Sequence, residues 1–205
     1  FGHLQLQRDL NILAINASNP FGNAQVIPRG ILREPLSALK DADMVVLTKT
    51  DAPHVDLDGI QQRLKALIPS VMVAASAHVP KACVEIFDKA HVDLEHFKGI
   101  SVVGFCGLGD TNAFKHSLNR AGFHVINVFG FMDHHVYSEA DMMMVRKYAL
   151  DHQVQMIVTS HKDAVKLAGF KNIWDGFKVY YLKVDLEITH GKNFFLERIM
   201  SVIRH

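Results

Sequence analysis

The chain has 205 residues, 49% of them hydrophobic and 21% charged, which is enough apolar surface for a substantial core and too much for a disordered tail. Lys and Arg total 22 against 21 Asp and Glu, a net charge of +1, and that near balance argues against nucleic acid as the main partner, since phosphate tracking needs a concentrated basic face. Two cysteines, Cys83 and Cys106, exclude a disulfide scaffold, and no stretch reaches the ~18 apolar residues of a membrane span.

The chain opens on Phe1 rather than Met, and His3, Gln5, Gln7, Arg8 and Asp9 interrupt any apolar leader. A cytoplasmic domain that starts inside a longer gene product is the expectation. The first predicted strand, 11–16, leads into a long segment punctuated by Asn19-Pro20-Phe21-Gly22-Asn23 and Pro28-Arg29-Gly30-Ile31-Leu32-Arg33-Glu34-Pro35. Irregular segments of that length are often functional. Arg33 can grip a phosphate with two parallel hydrogen bonds, or simply pair with Glu34. A helix over 35–40, a strand over 44–47, a helix over 57–66 and a strand over 71–75 follow.

Residues 76–98 hold Pro80 and no long periodic run, and read as a β-excursion or a connection between two halves. The expected organisation is therefore a first part over 1–75, a connecting segment over 76–100 and a second α/β lobe over 101–205. That lobe begins with a strand over 100–105 and the cluster Gly104-Phe105-Cys106-Gly107-Leu108-Gly109-Asp110, before a helix over 111–121 that Gly122 stops. Gly107 and Gly109 either make a tight βα turn or let helix-start N–H groups face an anion.

After a strand over 124–129 comes Asp133-His134-His135, where a carboxylate beside an imidazole can orient a general base. Ser138 and Asp141 form a capping-box start for a helix over 139–151. The strand over 155–159 ends in Thr159-Ser160-His161-Lys162-Asp163-Ala164, at the strand end where open α/β sheets bind ligands. Lys162 could face a phosphate and Asp163 could accept from it, or both could belong to an ordinary helix start over 162–167. A strand over 178–184 and a helix over 192–203 close the chain. The alternation predicts a mostly parallel sheet with helices on both faces. No G-x-x-x-x-G-K-[ST] loop, G-x-S-x-G elbow, C-x-x-C or H-E-x-x-H is present.

Taken in order, these clusters resemble the tetraacyldisaccharide 4′-kinases of lipid A biosynthesis. The resemblance runs through Phe1-Gly2-His3-Leu4-Gln5-Leu6-Gln7-Arg8-Asp9-Leu10, Pro20-Phe21-Gly22-Asn23, Leu32-Arg33-Glu34-Pro35 and Thr48-Lys49-Thr50-Asp51. It continues through Phe105-Cys106-Gly107-Leu108-Gly109, Asp133-His134-His135 with Tyr137-Ser138, and Lys162-Asp163-Ala164-Val165. It implies a P-loop-NTPase-like α/β kinase, truncated at its N-terminus, that uses ATP and Mg2+ to phosphorylate the 4′-hydroxyl of an acylated disaccharide lipid. Peripheral contact with the cytoplasmic face of the inner membrane would follow. By the same resemblance, His134 is the catalytic imidazole, Arg33 and Glu34 belong to the active-site loop, and Gly107, Gly109, Lys162 and Asp163 are nucleotide contacts. The phosphate loop, the metal ligands and the partner Asp of His134 would lie upstream of Phe1, and this chain alone would be inactive. The competing expectation is a non-catalytic α/β module that binds a nucleotide or sugar phosphate at residues 104–110.

Overall fold

The computed structural model describes residues 7–107 and 110–203, and the chain divides into two compact units, 1–78 with 186–205, and 79–185. In the first unit, β1 (Ile12–Asn16) pairs parallel with β2 (Met44–Thr48), which pairs parallel with the start of β3 (Met72–Glu85). Met44, Val45 and Leu47 of β2 have no accessible surface. A strand this uniformly apolar is stable only when both of its faces are covered. Asp56 accepts a hydrogen bond from the Gly59 amide at 2.9 Å to start α1 (Leu57–Leu67), whose Ile60 and Leu64 enter a core with Ile15, Leu39, Leu47 and Ala75.

The last helix, α5 (Lys192–Ile203), also belongs to this unit, where Arg198 reaches Asp43 at 3.4 Å. The helix expected over 35–40 is a 3₁₀ turn, Leu36–Asp41, that begins after Pro35 with no side-chain cap. Six residues without a cap do not offset the cost of nucleating an α-helix, and a 3₁₀ turn is the usual outcome.

The second unit is built on parallel strands in the order β8-β7-β5-β6, namely β5 (Ser101–Cys106), β6 (His124–Gly130), β7 (Met156–Ser160) and residues 178–185 of β8 (Lys178–His190). Its helices are α2 (Thr111–Arg120), α3 (Glu139–Asp151) and α4 (His161–Ala164). Gly122, at φ +94°, ends α2 in the left-handed region that favours glycine. Phe105, Met142, Val145, Ile157, Leu167 and Val179 form one core, and Val102, Leu118, Val158 and Leu182 a second. The α/β class with mostly parallel pairing agrees with expectation.

Other elements besides the 3₁₀ turn at Leu36–Asp41 differ from it. The strand expected to end at Ala75 runs on to Glu85, with β4 (His91–Asp93) antiparallel to its second half. Pro80 lacks a ladder donor and reads as a break, yet the strand carries it because Ser76 and Ala77 before it and Cys83 and Val84 after it are buried. The helix expected over 162–167 stops at Ala164, and a 3₁₀ turn, Ala168–Trp174, follows.

Candidate functional site

Parallel pairing brings the carboxyl ends of β5, β6 and β7 to one edge of the second unit, so the three loops that follow them gather there. The Thr159 hydroxyl donates to the Phe105 carbonyl at 2.8 Å, tying the end of β7 to the end of β5. Asp163, with no accessible surface, accepts from the Gly107 amide at 2.9 Å and the Ser160 hydroxyl at 2.6 Å. Lys166 completes the set, donating to Asp163 at 3.3 Å and to the His135 carbonyl at 3.0 Å. Burial, the largest single influence on Asp163, pushes its carboxyl up, but the bonds from Ser160, Gly107 and Lys166 outweigh it and leave the acid below the ordinary range. Asp163 is therefore an ionised buried carboxylate held from inside the fold.

The loop after β6 carries the histidines. His134 sits at φ +62°, a left-handed conformation that costs a β-carbon-bearing residue about 1–2 kcal/mol. Its amide donates to Asp133 at 3.0 Å, and its ring, 82% exposed, lies 3.7 Å from the other Asp133 oxygen. Lys162 reaches Asp133 at 2.6 Å. That hydrogen bond above all, with His134 nearby, holds the Asp133 carboxyl below the usual carboxylate range.

His135 is the opposite case. Its ring stacks on Phe131 at 4.8 Å, meets Tyr137 edge-on at 5.2 Å, and places Nε2 3.0 Å from Asp141. Asp141 also accepts from the Ser138 amide and hydroxyl, while Ser138 accepts from the Asp141 amide, so the expected capping box is present. The Tyr137 hydroxyl is buried beside Asp163 without a hydrogen bond of acceptable geometry; burial first, then that carboxylate, pushes its ionisation up.

In the first unit, exposed Arg33 and half-buried Glu34 line a cavity of about 310 Å³ with Leu13, Asn16, Phe21 and Leu36. Asparagines brace the loop around it: Asn19 accepts from the Gly22 amide at 3.1 Å, and Asn23 donates to the Arg29 carbonyl at 2.7 Å. Of the residues singled out in the sequence, Gly107, His134, Lys162 and Asp163 stand at the strand ends of the second unit, and Arg33 and Glu34 in the first. Gly109 lies outside the described residues. Lys166 escaped sequence reading, although its i,i+3 spacing from Asp163 was the available signal. Among the described residues no group of three or more His, Cys, Asp or Glu side chains is arranged to hold a metal ion.

Parallel strands with polar loops collected at their carboxyl ends define the class, an α/β protein of the kind whose ligands usually bind at those ends. The sequence model described as tetraacyldisaccharide-1-P 4′-kinase (LpxK) matches residues 1–204, and the chain belongs to that family. The tetraacyldisaccharide 4′-kinase of Desulfatibacillum aliphaticivorans is 33% identical over 204 residues, covering 95% of this chain and 52% of the relative. A probable mitochondrial tetraacyldisaccharide 4′-kinase of Arabidopsis thaliana is 32% identical over 194 residues, covering 91% of this chain and 49% of the relative. The chain thus spans about half the length of the curated relatives it matches. Among solved structures, LpxK from Aquifex aeolicus in complex with ATP superposes with a TM-score of 0.62 at 23% identity, over 99% of this chain and 54% of that one. That likeness is one of fold.

Proposed function

We propose that this chain supplies the alcohol-activating side of a lipid A 4′-kinase, transferring the γ-phosphoryl group of ATP to the 4′-hydroxyl of a tetraacylated disaccharide 1-phosphate. The observation that carries the reading is His134: an imidazole held in a strained left-handed backbone, largely exposed, beside an ionised carboxylate. Strain of this kind persists where the surroundings impose it, and it concentrates at functional loops. In the reaction, the His134 ring takes the proton of the 4′-hydroxyl as that oxygen bonds to phosphorus, and ADP departs with the electrons of the broken P–O bond. Arg33, exposed on the loop lining its cavity, offers a planar fork to phosphate oxygens, with Glu34 beside it. Phosphoryl transfer asks mainly for such positioning and charge neutralisation.

Magnesium ligands and the phosphate loop belong to the portion of the family that this chain does not span. The acyl chains of the acceptor put the reaction at a bilayer surface, by peripheral contact on the cytoplasmic face of the inner membrane. Among the described residues no helix is long and apolar enough to cross a membrane.

The test is a phosphoryl-transfer assay on a polypeptide of the relatives' full length that carries this chain. His134→Ala is expected to lower turnover by about 10²–10⁴-fold, the usual contribution of a general base. Unchanged turnover in a folded variant would remove His134 from this role. A module that merely binds nucleotide or sugar phosphate would keep its affinity in that variant and show no turnover in either form.

A further inference from the structure

A carboxylate taken wholly out of water must be matched by donors or lose its charge. The matching at Asp163 is spread over two loops. Oδ2 accepts from the Gly107 amide at 2.9 Å, in the turn after β5, and from the Ser160 hydroxyl at 2.6 Å. Oδ1 takes Lys166 at 3.3 Å, and the same ammonium donates to the His135 carbonyl at 3.0 Å, in the loop after β6, while lying 5.4 Å from the Tyr137 ring centroid. A second link between α4 and the histidine loop, Lys162 to Asp133, has side chains 41% and 53% exposed, so solvent screens it. The sheltered connection is the one through Asp163.

We propose that Asp163 and Lys166 are positioning residues for the transfer: their ion pair sets the histidine loop relative to the Gly107 turn, so that a ligand engaging one loop is felt at the other. Neither side chain touches the reacting atoms. Asp163 acts through Gly107, and Lys166 acts through the backbone carbonyl next to His134. The role in transfer rests on the kinase reading above, whereas the coupling of the two loops is a property of the fold and is measurable without turnover.

The experiment is NMR on the 205-residue chain. Lys166→Met keeps an unbranched side chain of similar length and removes the ammonium together with its bonds to Asp163 and to the His135 carbonyl. The expected result is a shift of the Gly107, His134 and His135 amide signals and of the His134 ring signal, with amide exchange at 134 and 135 accelerated by about tenfold. Signals from α1, in the other unit, stay in place, and Lys166→Arg restores the native pattern in part. A general loss of stability would move all signals and would not be rescued by Arg. If Lys166→Met does not fold, Ser160→Ala decides, because it removes a donor from Asp163 and shares no hydrogen bond with His135. A shift at His135 then supports the coupling, and its absence overturns it, as do unmoved His134 and His135 signals in folded Lys166→Met. Unchanged turnover in folded His134→Ala would remove His134 from its role in the transfer and leave this coupling standing.

Discussion

A side chain at Gly107 would crowd three oxygens. A β-carbon there would come 3.1 Å from Asp163 Oδ1, 3.2 Å from the Tyr137 hydroxyl and 3.3 Å from the Met132 carbonyl. The tyrosine can yield, but the carboxylate is pinned by Lys166 and Ser160, and the carbonyl is backbone. Gly107→Ala is therefore expected to destabilise the second unit by about 1–3 kcal/mol, as overpacking does. In thermal unfolding each kcal/mol should appear as a fall of about 2–4 °C for a chain of this size. A melting temperature equal to that of the native chain would show that the three oxygens move aside freely. The glycines of this turn were visible in the sequence only as a tight turn or an anion cradle. The structure shows a further reason for the first of them, which needed the fold to bring Asp163 and Tyr137 against it from distant positions.

At the scale of elements, the N-terminus of α3 joins two kinds of chemistry in one carboxylate. Asp141 closes the capping box with Ser138 and faces the His135 ring. The Ser138 amide first, then His135, hold its carboxyl below the ordinary range. For an acid lowered in this way, the folded state binds its proton more weakly than the unfolded chain does. The stabilisation is complete above the unfolded value, about 3.9, and is lost as pH falls through the lower folded value. Acid titration should thus loosen the start of α3 below about pH 4, and Asp141→Asn should flatten that part of the stability–pH curve. An acid limb identical in the two proteins would mean that the box contributes no net charge effect.

The helix was legible because its cap, periodicity and length are all local: 139–151 was expected and Glu139–Asp151 is observed. The second half of β3 was legible only as one of two readings, a β-excursion or a connection, because what carries the strand past Pro80 is the burial of Cys83 and Val84. Lys166 was missed for a similar reason. A lysine near a helix start reads as a solvated charge until a buried acid is found one turn away.

At the scale of the whole molecule, the family and the class of fold followed from the order of short motifs, whereas the assignment of residues to two compact units did not. Residues 186–205 join the unit built from the start of the chain, a grouping that no composition shift announces. The chain also contains no G-x-x-x-x-G-K-[ST] sequence with which to cradle a triphosphate. Incubated alone with ATP, magnesium and a tetraacylated disaccharide 1-phosphate, the 205-residue polypeptide is expected to yield no 4′-phosphorylated product. Detection of radiolabelled lipid above a no-protein control would show that these two units suffice.

The neighbouring imidazoles at 134 and 135 differ sharply in accessibility, with side chains 82% and 26% exposed and only the second stacked on an aromatic ring. An electrophile such as diethyl pyrocarbonate should therefore carbethoxylate one member of this tandem pair well before the other. Peptide mapping by mass spectrometry after brief treatment should find the adduct on His134, with His135 following only once the protein unfolds. Two residues that look interchangeable on paper become separate handles, which a single reagent tells apart without any mutation.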